Sequence, residues 1–155
     1  MAVYEILTVG HPALREKARE VTKFNENLGR LLDNMVETMV AANGVGLAAP
    51  QIGIGKRVVV IDVGQGPIEL VNPVLVEYKG TIQEVEGCLS VPDYTEEVQR
   101  HGWVKVKAQD RQGQEFFIEG TELLSRALQH EIDHLDGVLF IDRVQSNPLR
   151  DRRER

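Results

Sequence analysis

The sequence predicts a single α+β domain, with antiparallel strands packed around a buried C-terminal helix and a second helix near the N-terminus. Three observations carry that expectation. An apolar stripe at helical spacing spans about 25–42, strand-like segments fill the middle of the chain, and a second helical stripe spans about 122–136. Helix, several strands, then helix is the order of an α+β fold and not of repeated βαβ units. At 155 residues the chain has the size of one domain, and it shows no internal repeat, low-complexity tract or dividing linker.

Segment 8–18 mixes Gly10, Pro12 and charge, and reads as a surface loop. The first helix places Leu28, Leu31, Leu32, Met35, Val36, Met39 and Val40 on one face, and Asn43-Gly44 is a suitable stop because both residues tolerate a left-handed backbone. Segment 57–63 is a β-branched run between Gly55 and Gly64, as expected of a buried strand. Segment 69–78 is a second strand, made irregular near its start by Asn72-Pro73. Segment 85–90 reads as turn-like, with Gly87 allowing close backbone approach. Segment 103–108 alternates with period two, 110–113 turns the chain, and 115–119 returns as the other half of a hairpin. In the last helix Leu123, Leu124, Ala127, Leu128, Ile132 and Leu135 supply the apolar side, and Gly137 ends it.

Composition narrows the function classes. Apolar residues make up 42% and charged residues 27%, a globular balance. A formal net charge of -6 argues against broad binding to nucleic acid or anionic membranes. The tail Arg150-Asp151-Arg152-Arg153-Glu154-Arg155 reads first as a solvated terminus and second as a local basic contact. No apolar run has the length of a secretory signal or a membrane span, so a cytosolic, soluble protein is expected. The one cysteine, Cys88, permits no internal disulfide, and suggests a reducing compartment or a metal-protected thiolate.

The chemistry gathers in Gln129-His130-Glu131-Ile132-Asp133-His134. On a helix, His130 and His134 lie one turn apart on one face, and Glu131 stands beside them, able to handle a proton on a water at a metal. So short a pattern also arises by chance, with two hydrogen-bonded histidines and a solvated Glu. Here it sits on an apolar helix, where ionisable groups are costly to bury unless paired or bound to metal. Two histidines leave a catalytic metal one protein ligand short. Cys88 is the only thiolate to choose, although a lone Cys is ordinarily a small buried hydrophobe. His11 and His101 are the alternatives, both in loop-like sequence. In Gly44-Val-Gly-Leu-Ala-Ala-Pro-Gln51 the small residues suggest backbone held close to a partner, and Gln51 is either a structural amide or a donor to a developing oxyanion. The segment fails as a phosphate loop because no Lys follows the glycines.

Three segments, Gly44-Val-Gly-Leu-Ala-Ala-Pro-Gln51, Glu86-Gly-Cys-Leu-Ser90 and Gln129-His-Glu-Ile-Asp-His134, resemble the signature motifs of the peptide deformylases, in the family's order. The similarity extends from His11-Pro12-x-Leu14-Arg15 to Gly137-Val-Leu-Phe140. It implies a catalytic domain over 1–142 followed by a short charged tail, 143–155. It implies a metal-dependent hydrolase that removes the formyl group from the N-terminal formyl-methionine of nascent polypeptides and releases formate. By that resemblance Cys88, His130 and His134 hold the metal, Glu131 is the catalytic carboxylate, and Gln51 with the backbone N–H of Leu89 polarises the formyl oxygen. Gly46 meets the substrate backbone, while Val45, Leu123 and Ala127 line a methionine pocket with His130 in its wall. Glu86 and Arg100 form an ion pair behind the metal ligands. Glu84 and Arg126 depart from the apolar residues that some members carry at the pocket wall.

One sulfur and two imidazoles suit iron, zinc, cobalt or nickel more than magnesium or calcium. The resemblance implies one Fe2+ per chain, with Zn2+, Ni2+ or Co2+ as substitutes. It also implies a transient ribosome contact, without sequence-specific nucleic-acid binding and without a membrane. A general metallopeptidase is the enzymatic alternative, disfavoured by Cys88 and by the Gly44-to-Gln51 segment. A structural metal domain is the non-catalytic one, disfavoured because no fourth protein ligand is evident.

Overall fold

The computed structural model describes residues 2–144. Five strands form one antiparallel sheet in the order β1 (Gly46–Ala48), β2 (Val58–Ile61), β3 (Ile68–Lys79), β6 (Trp103–Gln109) and β7 (Glu115–Thr121). Two more, β4 (Ile82–Cys88) and β5 (Val91–Arg100), make a separate antiparallel ribbon. Helix α1 (Glu26–Ala41) precedes the sheet and α2 (Glu122–Leu135) follows it.

The four residues of β2 are all buried because the strand has a helix on each side. Val58 and Val60 pack with Leu28, Leu31, Leu32, Met35 and Met39 of α1. Val59 and Ile61 pack with Ala127, Leu128 and Leu135 of α2. Successive side chains of a strand face opposite ways, so a strand covered on both faces loses the polar alternation of a half-exposed one.

Helix α1 starts where the Asn25 carboxamide oxygen accepts from the Leu28 N–H at 3.2 Å, and ends against Asn43, whose φ is 56°. In β3 the register shifts between Val71 and Val74. Asn72 adopts a φ of 52° there, and its side chain both accepts from the Val21 N–H and donates to the Val21 carbonyl, at 2.8 and 2.9 Å. The irregularity expected at Asn72-Pro73 is thus a bulge whose side chain ties down the N-terminal segment. Strands β6 and β7 form the expected hairpin, and β7 runs directly into α2.

Two expectations need correction. Segment 85–90 is not a free turn: Cys88 is the last residue of β4, and only Leu89 and Ser90 separate it from β5. The ribbon escaped notice because most of its side chains meet solvent. Val91 and Val98 are its buried apolar residues, packed with Leu14, Leu139 and Phe140 and joined by the partly buried Tyr94 and Cys88, so the sequence there carries little apolar periodicity. Segment 8–18 is not wholly loop either, since Pro12–Arg15 forms a 3-10 turn that buries Leu14.

Helix α2 stops at Gly137, which has a φ of +75°. A Cβ there would lie 2.5 Å from the Arg15 carbonyl oxygen, so this glycine serves both the left-handed turn and a close backbone crossing. A further 3-10 turn, Phe140–Arg143, closes the described chain. Residues 145–155 of the tail expected over 143–155, including the four arginines of 150–155, lie outside the described residues. No described helix is long and apolar enough to cross a membrane.

Candidate active site

Helix α2 carries the His-Glu-x-x-His pattern on a buried stretch: Gln129, His130, Glu131 and His134 are all buried. The ribbon hairpin brings Cys88 against it. Cys88 Sγ lies 3.3 Å from His134 Nε2, and one donor atom from each of Cys88, His130 and His134 falls within 4.8 Å of the others. Among the described residues no other His, Cys, Asp or Glu group gathers three donors in this way. His11 is exposed and His101 stacks on Tyr78, so neither joins the cluster.

Glu86 fixes the His130 ring. Its Oε1 is 3.1 Å from His130 Nδ1, which leaves Nε2 for the cluster. Arg100 grips Glu86 with two bonds of 2.9 Å from Nε and Nη2, and both side chains are buried. The expected Glu86–Arg100 pair is therefore a buried two-pronged contact directly behind the His130 ring, not a surface bridge.

Charge in the cleft follows from burial and neighbours. Burial pushes the Glu131 carboxyl up to about 7, against the opposing pull of His130 and Arg100. Burial also disfavours charge on Glu86, but hydrogen bonds from His130 and Arg100 prevail and hold its pKa at about 2. For His130, burial opposes protonation, but Cys88, Glu131 and Glu86 together outweigh it and raise the ring to about 10. Burial, and then the charges of His130 and Arg100, keep His134 well below its ordinary value. A divalent cation at the cluster would favour the neutral His130 ring and the Cys88 thiolate, the ligating forms.

The residues present fit a metal. A soft sulfur and two imidazoles converge, one carboxylate oxygen of Glu131 is buried without a hydrogen-bond partner among the described residues, and the convergence faces open space. That space is a cleft of about 560 Å³. Val45, Gly46, Leu123 and Ala127 line it, as do Gln51, Glu86, Cys88, Leu89, His130 and Glu131. His134 stands behind the wall, only 1% exposed. Arg126 lines the cleft too, whereas Glu84 is exposed on β4 and does not.

The glycines of the first motif exist for space. A Cβ on Gly46 would come within 2.5 Å of Glu131 Oε2, and one on Gly44 within 2.7 Å of the Leu89 side chain. Gln51 is anchored at both ends of its amide. Its Oε1 accepts from the Ala48 N–H at 2.9 Å, while Nε2 donates to Ser90 Oγ at 3.1 Å and, more weakly, to Cys88 Sγ at 3.6 Å. Sequence reasoning gave no part to Ser90, Asp133 or Phe140. The first two stood inside the quoted motifs, but their partners come from elsewhere in the chain. Asp133 accepts from Arg100 Nη1 at 2.7 Å, and the Phe140 ring stacks 6.1 Å from the His130 ring.

An α+β domain that turns a Cys-His-His donor set and a buried carboxylate toward an open cleft falls in the class of metal-dependent hydrolases. The family model for polypeptide deformylase matches residues 3–149, and this chain belongs to that family. It is 64% identical over 147 residues to a peptide deformylase of Heliobacterium modesticaldum, covering 95% of this chain and 97% of that one. Its fold superposes on the crystal structure of peptide deformylase from Thermotoga maritima with a TM-score of 0.91 at 46% identity, covering 92% of this chain and 98% of the other. The Synechococcus elongatus peptide deformylase in complex with actinonin is also similar, with a TM-score of 0.91 at 38% identity, over 97% of this chain and 82% of that one.

Proposed function

We propose that this chain performs its family's reaction, removal of the N-formyl group from nascent peptides, with one metal ion held by Cys88, His130 and His134. The observation that carries this reading is the convergence of those three donor atoms within 4.8 Å at a cleft wall. When bound, the ion supplies Lewis acidity, which makes water nucleophilic near neutral pH. Glu131, whose carboxyl is held near 7, takes a proton from the water that attacks the formyl carbon. Water adds, the C–N bond breaks, and Glu131 returns the proton to the departing amine, leaving formate and a free N-terminus. Gln51 gives up its long contact to Cys88 and offers that N–H to the formyl oxygen, together with the Leu89 N–H, while the Ser90 bond keeps the amide in place.

Gly46 lets the substrate backbone run along β1 in strand-like fashion, the sheet edge serving as template. The methionine side chain enters among Val45, Leu123, Ala127 and His130, with the apolar stem of Arg126 in the wall. The native ion is Fe2+, replaceable by zinc, nickel or cobalt, and the iron–thiolate pair makes the protein oxygen-sensitive. The setting is the cytoplasm, with transient ribosome contact. Formate release by iron-loaded protein, free of oxygen, tests the reading. Formyl-Met-peptides should turn over, while acetyl-Met-peptides and internal peptide bonds should not. Cleavage of internal bonds in preference to formyl groups would replace it with the metallopeptidase alternative.

A further inference from the structure

The 3-10 turn Phe140–Arg143 reaches His130 by two separate routes. Phe140 lays its ring near the imidazole, with centroids 6.1 Å apart and the planes 24° from parallel. The second route is a chain of alternating charge. Arg143 binds Asp133 with two prongs, Nε to Oδ2 at 2.6 Å and Nη2 to Oδ1 at 2.9 Å. The same Oδ2 accepts from Arg100 Nη1 at 2.7 Å. Arg100 in turn clasps Glu86 with two bonds of 2.9 Å, and Glu86 Oε1 meets His130 Nδ1 at 3.1 Å. The interior of the chain is nearly dry: side-chain exposure is 2% for Arg100, 7% for Glu86 and 14% for Asp133, against 47% for Arg143.

A buried carboxylate, Glu86, and a partly buried one, Asp133, here share one buried guanidinium, Arg100. Arg143 supplies the second positive charge. Without it, the Asp133 side chain keeps only Arg100 as a partner among the described residues and competes with Glu86 for that guanidinium. The grip on Glu86 loosens, and with it the hold on His130 Nδ1. We propose that Arg143 is a positioning residue for the metal centre: it satisfies Asp133 so that Arg100 stays on Glu86 and Glu86 keeps the His130 ring aimed at the ion. The proposal rests on the reading of His130 as a ligand. Arg143 does not line the cleft, so it acts on the ligand ring and not on substrate binding.

The test uses the full chain loaded with Co2+, with metal loss to excess chelator followed through the thiolate-to-cobalt absorption. R143M should lose cobalt faster by about tenfold, in the range typical for partners of metal-ligating histidines. Its kcat for formyl-Met-peptide should fall with KM unchanged. R143K keeps the charge but not the two-pronged geometry, and should fall between R143M and wild type. Arg111, which makes a comparable partly buried contact to Glu69 and Asp33 away from the cleft, provides the control: R111M should retain cobalt as wild type does. Wild-type cobalt retention in R143M, or equal cobalt loss in R111M, would overturn the proposal. If R143M does not fold, R143K retaining cobalt like wild type would overturn it as well. Wild-type protein with no thiolate-to-cobalt absorption would instead refute the ligand assignment, and this proposal with it.

Discussion

The proposed chemistry turns on Glu131, whose carboxylate is buried, carries an oxygen without a hydrogen-bond partner among the described residues, and lies where a Cβ on Gly46 would meet it. Glu131→Gln keeps the shape but cannot take a proton. It should lower kcat by about 10²–10⁴-fold, the range for a lost general acid–base, while metal content by elemental analysis stays at one ion per chain. Gly46→Ala acts on the same carboxylate from outside. Its methyl group would overlap Glu131 Oε2, so the carboxylate must move, and a displacement of about 1 Å should cost roughly 10²-fold in kcat. Steady-state kinetics with equal metal loading would check both, and a Gly46→Ala enzyme with wild-type kcat would show that the contact does not position Glu131. The three donor residues that the structure brings together stand out in the sequence because two imidazoles at helical spacing and a solitary thiol are rare and costly groups. Their supports were not. Ser90, Asp133 and Phe140 are ordinary residues whose roles come from partners 39, 33 and 10 positions away (Gln51, Arg100 and His130), and nothing local marks such pairs.

At the scale of elements, legibility followed burial. Helices α1 and α2, the covered strand β2 and the β6–β7 hairpin all carry apolar periodicity or turn residues, and the sequence reading places them within a residue or two. The β4–β5 ribbon does not, because backbone pairing and not an apolar face holds most of it together, yet it delivers Cys88. Its tip is secured from the other side by the β5 residues that pack on Leu14 and Phe140. The crossing at Gly137 secures α2 in turn. Gly137→Ala would place a methyl group against the Arg15 carbonyl in a left-handed conformation, and should destabilise the fold by roughly 1–3 kcal/mol in urea denaturation. An unchanged midpoint would mean that the crossing relaxes freely.

For the whole molecule, the two helices, the sheet between them and the ribbon serve to bring three donor atoms from positions 88, 130 and 134 to one point at the wall of an open cleft. Removing the ion by chelation should abolish formate release, and Fe2+ returned without oxygen should restore it, with zinc restoring less. If reconstituted iron gives no advantage over zinc, iron is not the native ion. The coordination itself is the claim on which everything else rests, and X-ray absorption at the metal edge of the zinc-loaded protein reads it most directly. The account predicts one sulfur scatterer at about 2.3 Å with two imidazole nitrogens at about 2.0–2.1 Å. A spectrum without the sulfur shell would contradict it.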